Sequence, residues 1–358
     1  MPLESLDPST PYLVVDADVL DRNLRRAATT ARTRGLVLRP HAKTHKCLEI
    51  ARRQIALGAG GLTVATVGEA EVFAAAGFGD LFIAYPVWVS GGRVARLRAL
   101  AEQVSLRIGV DSVEGVQALA SAASGAGIAV LVEVDSGHHR SGVQPEAAGE
   151  VAAAASRAGL EVLGVFTFPG HGYQPDGRGQ AAADEATALD VGARSLQRVS
   201  VDPVVRSGGS TPTAALADAA SLTEMRPGVY AFNDAQQAEL GSCGWSDVAL
   251  TAAATVVSRS GQQVVVDAGS KVLGADRPTW TTGGGRLLDH PDARIVALSE
   301  HHGTVVFPEG SALPALGEVV RVVPNHVCSA VNLADQLVVV SAGRQVEHWA
   351  VAARGANT

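Results

Sequence analysis

The chain is poor in aromatic residues. Phe, Trp and Tyr make up 4% of its 358 residues, whereas apolar residues together make up 47%. Its hydrophobic core must therefore be built mainly from Val, Ala and Leu. Charged residues interrupt the Ala-rich stretches, so no apolar run reaches the length of a membrane span. The formal net charge of -7 excludes the basic field that holds nucleic acid.

Cysteine is also scarce. The three cysteines, Cys47, Cys243 and Cys328, are odd in number and lie far apart. This spacing indicates reduced thiols rather than a disulfide framework. The first residues show the pattern of neither a signal peptide nor a transit peptide. These features predict a cytoplasmic protein.

Short apolar runs alternate with helical patterns over the first two thirds of the chain. A strand over 11–16 precedes a helix from Ala17 to Arg34, with Asp16 or Asp18 as its cap. Apolar strands between helices are typical of a parallel sheet covered on both faces, and eight of them predict a (β/α)8 barrel. The eight strands are predicted at 36–40, 61–66, 80–85, 105–110, 128–134, 160–168, 203–206 and 223–231.

The pattern changes near Leu250. Short alternating or β-branched runs follow, separated by turn residues, and these predict an antiparallel β domain with little helix. We place the boundary in 241–247 and divide the chain into 1–245 and 246–358. The strands of the second domain are predicted at 252–258, 263–267, 293–298, 304–307, 318–323, 336–340 and 346–350.

One strand end carries a candidate reactive amine. Lys43 follows the first apolar run of the barrel and stands between His41 and His45, and we count all three as candidate catalytic residues. A lysine must lose its proton before it forms a Schiff base with an aldehyde, and neighbouring positive charge favours that loss. Arg39 and Lys46 add to this charge. The alternative interpretation is an ordinary basic strand end.

The loop after the seventh strand is rich in glycine and hydroxyl residues, and the pattern predicts that it opens a helix. Small residues let backbone amides approach an anion, and a helix N-terminus adds unpaired N–H groups. A phosphate site after the seventh strand is common in barrels, although a simple turn is the alternative. The loop consists of Ser207, Gly208, Gly209, Ser210 and Thr211.

Other strand ends carry an arginine, a histidine and two tyrosines. Arg140 lies in a small-residue loop after the fifth strand, and its guanidinium could donate to a phenolate, a ring nitrogen or a carboxylate. His171 and Tyr173 follow the sixth strand, where a tyrosine could lie against a planar cofactor. Tyr230 ends the eighth. A surface ion pair of Arg140 and simple packing of Tyr173 are the alternatives.

The second domain contains a candidate metal site. Residues i and i+2 of a strand share a face, so His326 and Cys328 could bind one metal ion together. Imidazole with thiolate favours Zn²⁺ over the alternatives Mn²⁺ and Mg²⁺. Two protein ligands would leave positions for water and substrate, as a catalytic site requires. A chance pair is the alternative.

Taken together, the motifs resemble the D-serine dehydratase and D-threonine aldolase family of fold-type III, alanine-racemase-like pyridoxal phosphate enzymes. The resemblance runs in order over nearly the whole chain. It rests on Arg-Pro-His-Ala-Lys-Thr-His-Lys at 39–46, Gly-His-Gly-Tyr at 170–173, Ser-Gly-Gly-Ser-Thr-Pro at 207–212, Asp-Ala-Gly-Ser-Lys at 267–271 and Pro-Asn-His-Val-Cys at 324–328.

The resemblance implies a role for each motif. Lys43 would be the Schiff-base lysine beside Arg140 and Tyr173, the 207–211 loop would hold the cofactor phosphate, and the His-x-Cys pair would bind the metal. It also implies a homodimer in which the β domain of one chain closes the barrel mouth of the other.

The implied reaction is a lyase reaction on a β-hydroxy-D-amino acid such as D-serine or D-threonine. In a dehydratase, Lys43 removes the α proton and the metal assists loss of the β-hydroxyl, which gives a 2-oxo acid and ammonia. In an aldolase that hydroxyl is deprotonated instead, and the products are glycine and an aldehyde. Because thiolate selects zinc over harder metals, Cys328 favours the dehydratase.

Two other functions fit the sequence less well. A non-catalytic pyridoxal phosphate carrier would not need residues 250–358. An amino acid racemase needs a second acid or base, usually a tyrosine from the second domain. The four tyrosines, Tyr12, Tyr85, Tyr173 and Tyr230, all precede residue 250.

Overall fold

The computed structural model of the protein describes residues 9–123 and 125–358, which form two compact units. The β unit comprises the residues up to Arg26, Thr44–Glu49 and Val229–Gly355. The barrel unit comprises Ala27–Lys43, Ile50–Gly228 and Ala356–Thr358.

Helices and strands alternate through the first part of the chain and strands dominate the last. The helices are α1 (Ala17–Thr33), α2 (Leu48–Ala56), α3 (Val67–Ala75), α4 (Gly92–Ala101), α5 (Val113–Ala123), α6 (Ala148–Arg157), α7 (Arg178–Arg198), α8 (Ala235–Glu239), α9 (Ser270–Leu273) and α10 (Val327–Leu333). The strands are β1 (Tyr12–Asp16), β2 (Val37–Leu38), β3 (Leu62–Val64), β4 (Asp80–Pro86), β5 (Ser105–Val110), β6 (Ala129–Glu133), β7 (Glu161–Phe166), β8 (Val205–Gly208), β9 (Glu224–Met225), β10 (Leu250–Ser260), β11 (Gln263–Val266), β12 (Gly285–Leu287), β13 (Arg294–Leu298), β14 (Gly303–Val306), β15 (Val319–Pro324), β16 (Gln336–Ser341) and β17 (Arg344–Ala350).

The barrel unit is built on a parallel sheet. In the described part of the chain this sheet has eight strands in the order β2-β9-β8-β7-β6-β5-β4-β3. A parallel bridge between His41 and Thr63 joins the two ends of that order, so the sheet closes on itself. The predicted (β/α)8 barrel is confirmed. Its eighth strand is shorter than predicted because Pro227 has no N–H for the ladder and the chain turns away at Gly228.

A buried ion cluster lies inside the barrel at the amino-terminal ends of its strands. Arg39 Nε donates to Glu224 Oε2 at 2.6 Å, and Arg39 also donates to both oxygens of Asp80. Arg107 pairs with the same two carboxylates. Gly61 must be glycine here, because a Cβ would lie 2.2 Å from the Arg39 guanidinium. Buried charged side chains thus occupy this part of the core, whereas most other buried positions are apolar.

Aromatic packing completes the barrel interior above this cluster. The rings of Phe82 and Phe166 meet edge to face with their centroids 5.1 Å apart, and Leu131 packs with them. Valine, alanine and leucine supply most of the other buried side chains, as the composition predicts.

The β unit is built on a largely antiparallel sheet. β10 pairs with β1, β11 and β15, while β16 pairs with β1 and β17. The predicted antiparallel C-terminal domain is therefore confirmed, although β12 and the short helices α9 and α10 were not predicted. The predicted cap of the first helix is also confirmed, since Asp16 Oδ1 accepts from the N–H groups of Asp18 and Val19.

The units do not follow the predicted division at residue 245. The first strand joins the β unit, because β1 pairs with β10 and β16. The last three residues join the barrel unit, where Gly68 N–H donates to Thr358 O at 2.7 Å. No disulfide bond joins Cys47, Cys243 and Cys328, all of which lie in the described ranges. No helix of residues 9–123 and 125–358 is long and apolar enough to cross a membrane.

Replacing Arg39 by methionine will test the contribution of the ion cluster to stability. We expect the free energy of unfolding in urea to fall by about 3–5 kcal/mol, because the buried Glu224 would lose its nearer cation and keep only Arg107 at 3.6 Å. The control is Arg96→Met, which breaks a half-exposed pair with Glu71 and should cost about 1 kcal/mol or less. Equal losses in the two variants would contradict this account.

Candidate active site

A cavity of about 470 Å³ lies at the carboxyl-terminal ends of the barrel strands, where barrels carry their chemistry. Its size is that of a small-molecule site. Three predicted site residues line it: His41, Lys43 and Arg140. Polar or aromatic residues that join them include Asp111, Phe168 and Arg226.

Lys43 is held in place by the backbone around it. It lies on a 3-10 turn, Ala42–Thr44, directly after β2. His41 bridges to Thr63, and His41 N–H donates to Pro227 O at 3.0 Å. The segments after three different strands therefore fix the position from which the Lys43 side chain extends.

The aromatic ring of Phe168 lies between two cations. Lys43 Nζ is 5.9 Å from its centroid and Arg140 Cζ is 5.0 Å from it. A ring face in this position attracts both charges. The centroid of the Tyr173 ring lies 6.0 Å from the centroid of the Phe168 ring. Phe168 thus links two residues predicted to lie beside a cofactor, and the sequence analysis did not assign it a role.

The positive charge at the cavity comes from other residues than predicted. Arg39 is bound in the ion cluster, and Lys46 Nζ donates to Asn332 Oδ1 at 2.7 Å within the β unit. His45 also belongs to the β unit, where its Nδ1 accepts from Cys47 N–H at 3.1 Å. Arg140 and Arg226 line the cavity together with Lys43 instead.

Arg226 was missed by the sequence analysis. Its guanidinium is buried against the rings of Phe82 and Phe166, with Cζ 5.6 Å and 5.2 Å from their centroids. Nε donates to Ser207 Oγ at 2.8 Å, and the other end donates to Thr167 O. Burial lowers the pKa of Arg226, and the nearby carboxylates oppose that shift. Two charged residues, Glu224 and Arg226, within one predicted barrel strand were the signal that could have revealed it.

The 207–211 loop differs from its prediction in two ways. The helix expected after it is only a 3-10 turn, Ala214–Leu216, so no helix dipole faces the loop. Ser207 does not face an anion, because its buried hydroxyl donates to Glu224 Oε1 at 2.7 Å and accepts from Arg226.

The rest of the loop fits a phosphate group by its shape and its donors. Gly208 and Gly209 carry no side chain, and Gly209 turns the chain with a φ of +77°. Ser210 N–H donates to Thr213 Oγ1 at 3.0 Å, which fixes the far side of the turn. The Ser210 hydroxyl is buried and lies 3.0 Å from Thr213 Oγ1. The Thr211 hydroxyl is of the kind that phosphate oxygens accept from.

The remaining predicted cofactor residues fall in both units. His171 and Tyr173 lie on a 3-10 turn, Gly170–Tyr173, after β7, and His171 Nε2 is 3.2 Å from Asp184 Oδ2. Gly170 permits close approach of His138, whose ring would lie 2.6 Å from a Cβ at that position. Tyr230 is buried in the β unit.

The candidate metal ligands lie in the β unit, but not on a strand. β15 ends at Pro324, His326 caps α10, and Cys328 is already helical. The argument from a shared strand face is therefore wrong. The two side chains nevertheless meet and hydrogen bond with each other. His326 Nδ1 also lies 2.8 Å from Asp276 Oδ2, and Cys328 Sγ lies 3.3 Å from Thr44 Oγ1.

The electrostatics around this pair favour a positive charge. Burial opposes protonation of His326, but Cys328, Asp234 and Asp276 outweigh it and raise the pKa of His326 to about 10. A metal ion would place its charge where this proton lies. No group of three or more His, Cys, Asp or Glu side chains in the described ranges could hold a metal, so this chain offers a pair of ligands.

Known protein families match both parts of the chain. Residues 15–236 match the family described as alanine racemase, N-terminal domain, and residues 249–340 match the putative serine dehydratase domain. A D-threonine aldolase from Arthrobacter sp is 35% identical over 371 residues, which cover 99% of this chain and 94% of that protein. The chain belongs to the D-serine dehydratase and D-threonine aldolase family. The predicted resemblance is confirmed.

Solved structures of this family share the whole fold. The D-threonine aldolase from Filomicrobium marinum superposes with a TM-score of 0.88 at 35% identity, covering 97% of this chain and 96% of that one. The D-threo-3-hydroxyaspartate dehydratase from Delftia sp. HT23 gives 0.88 at 32% identity, covering 97% and 98%. Variants of that dehydratase replace a histidine and, in a metal-free form, a cysteine two positions later.

Replacing Arg226 by lysine will test its buried contacts. We expect the free energy of unfolding in urea to fall by about 1–3 kcal/mol, because one ammonium cannot reach both Ser207 and Thr167 as the guanidinium fork does. The control is Arg206→Lys, which alters a partly exposed pair with Asp190 and should cost about 1 kcal/mol or less. A loss at Arg226 no larger than at Arg206 would show that the fork is not needed.

Proposed function

We propose that the protein is a pyridoxal phosphate-dependent, metal-assisted dehydratase of a β-hydroxy-D-amino acid such as D-serine or D-threonine. Its products are then a 2-oxo acid and ammonia. The observation that carries this proposal is the pair of His326 and Cys328. The pair has the spacing of the two residues replaced in solved variants of a D-threo-3-hydroxyaspartate dehydratase, of which the cysteine variant was solved in a metal-free form.

The residues around the cavity fit pyridoxal phosphate. Lys43, which lines the cavity, supplies the amine that would hold the cofactor aldehyde. The loop after β8 supplies the Thr211 hydroxyl as a donor to its phosphate. Arg140 and Arg226 supply two cations to the same cavity as Lys43, where they can donate to oxygen or nitrogen of a planar ring. When bound, the cofactor supplies an electron sink for the bond broken at the substrate Cα.

Lys43 also serves as the base of the proposed reaction. Lys43 would hold the cofactor and, once released by the substrate, its Nζ would accept the proton from the substrate Cα. The cations of Arg140 and Arg226 line the same cavity as Lys43, and neighbouring positive charge favours an uncharged amine. His41 lies next to this amine along the cavity wall.

The metal ligands are oriented by their surroundings. Asp276 accepts from His326 Nδ1, which leaves Nε2 as the ligand atom, in the usual arrangement of a metal-binding histidine. Imidazole with thiolate favours zinc. A bound divalent metal supplies Lewis acidity toward the substrate hydroxyl.

A second candidate is D-threonine aldolase. It is favoured by the 35% identity to the Arthrobacter enzyme over 99% of this chain. The same lysine and the same metal pair would serve it, since both reactions begin at a β-hydroxy-D-amino acid. The two functions differ in which bond breaks, and the products separate them.

The product formed from D-threonine tests the proposed function. Protein loaded with pyridoxal phosphate and zinc should give 2-oxobutanoate and ammonia, measured by chromatography of the keto acid and an ammonia assay. Lys43→Ala should give no product, since both the cofactor link and the base are lost. Glycine and acetaldehyde from the unchanged protein would refute the dehydratase and support the aldolase.

Zinc content tests the metal pair independently of turnover. Cys328→Ala should lower zinc affinity by about 100-fold or more, because it removes a ligand. Asp276→Asn should lower zinc affinity by about 10- to 100-fold, because it weakens the acceptor that orients His326. Cys243→Ala, at a cysteine far from the pair in sequence, is the matched control and should bind zinc like the unchanged protein. Zinc bound equally well by all variants would show that the pair is not the metal site.

A further inference from the structure

One buried carboxyl of the barrel unit has no part in the function described so far. Glu185 lies in the middle of α7 and is completely buried. Its Oε1 accepts from Gly209 N–H at 2.6 Å. Its Oε2 is buried as well and has no hydrogen-bond partner in the described part of the chain. A carboxyl buried in this way is costly and calls for an explanation.

The carboxyl fills the space beside the loop backbone. A Cβ at Gly208 would lie 2.4 Å from Glu185 Oε1, and a Cβ at Gly209 would lie 3.3 Å from Met225. Glycine at 208 and glutamate at 185 are therefore complementary in shape. The loop backbone is held between α7 on one side and β9 on the other, where Arg226 N–H donates to Gly208 O at 2.8 Å.

We propose that Glu185 is a positioning residue for the phosphate site: by holding the Gly209 amide it fixes the turn that presents Thr211 to a phosphate group. This inference rests on the proposed cofactor. Because the Gly209 N–H already donates to Glu185, it does not donate to the phosphate. Phosphate recognition is left to the residues that follow in the loop.

The charge of Glu185 is compatible with a nearby phosphate. Burial raises the pKa of Glu185 to about 7, although the Gly209 amide and the Arg226 guanidinium lower it. A neutral carboxyl is therefore well populated near neutral pH. It can accept the Gly209 N–H through its carbonyl oxygen without repelling an anion.

Binding of pyridoxal phosphate and of pyridoxal separates this role from a general structural one. Both aldehydes can react with Lys43, but pyridoxal has no phosphate. Each is titrated into cofactor-free full-length protein and followed by the visible absorbance of the lysine adduct. Glu185→Ala and Glu185→Asp remove or shorten the acceptor, Glu185→Gln keeps an acceptor of the same length, and Asp190→Asn alters another carboxyl on the same helix.

We expect Glu185→Ala and Glu185→Asp to weaken pyridoxal phosphate by about tenfold or more and pyridoxal by less than about twofold. Glu185→Gln should restore the affinity for pyridoxal phosphate to within about twofold of the unchanged protein, and Asp190→Asn should match the unchanged protein. Thermal melting identifies any variant that has not folded. If Glu185→Ala does not fold, Glu185→Asp and Glu185→Gln still test the role of the acceptor.

Two results would overturn the inference. One is an unchanged ratio of the two affinities in Glu185→Ala or Glu185→Asp, which would show that Glu185 does not act on the phosphate. The other is a Glu185→Gln variant as weak as Glu185→Asp, which would show that an acceptor at this place is not what matters. Absence of any lysine adduct in the unchanged protein would instead refute the proposed cofactor itself.

Discussion

Glu224 is the shared acceptor on which the interior of the barrel depends. One of its oxygens accepts from Arg39, and the other accepts from Ser207. Ser207 in turn accepts from Arg226, which reaches the cavity. A continuous chain of hydrogen bonds thus runs from the ion cluster at the amino-terminal ends of the strands to the cavity at their carboxyl-terminal ends.

This chain explains how a buried arginine can serve a ligand site. A guanidinium enclosed by Phe82 and Phe166 would be costly if its donors were unpaired. Ser207 and Thr167 satisfy two of its donor groups, and the carboxylate of Glu224 lies one hydroxyl away. The positive charge is therefore fixed before any ligand arrives, which is the condition for electrostatic preorganisation. The glycine loop that begins at Ser207 shares the same support.

Much of the fold could be predicted because its signals are local. The barrel strands are short apolar runs between helical patterns, and seven of the eight predicted runs overlap strands of similar position. The eighth run overlaps the two-residue β9 at its start and gives way to a turn at Pro227. Lys43 was found from its neighbours at the end of a strand. Its neighbours in sequence nevertheless gave the wrong source of charge, because Arg39 points to Glu224 and Asp80 while Arg140 and Arg226 come from distant strands.

The features that were missed depend on contacts between distant residues. The membership of β1 in the second sheet is set by pairing with β10 and β16, which no local pattern reveals. The start of α10 after Pro324 placed His326 at a cap rather than on a strand. Glu185 lies in a long helix among other polar residues, and only the fold brings it to Gly209.

The most direct test of the central claim is to find which lysine binds the cofactor. The chain contains three lysines: Lys43, Lys46 and Lys271. Protein incubated with pyridoxal phosphate is treated with borohydride, which makes the bond between lysine and cofactor permanent, and its peptides are mapped by mass spectrometry. The account predicts the label on Lys43 at one per chain. A label on Lys46 or Lys271 instead, or no label at all, would contradict it.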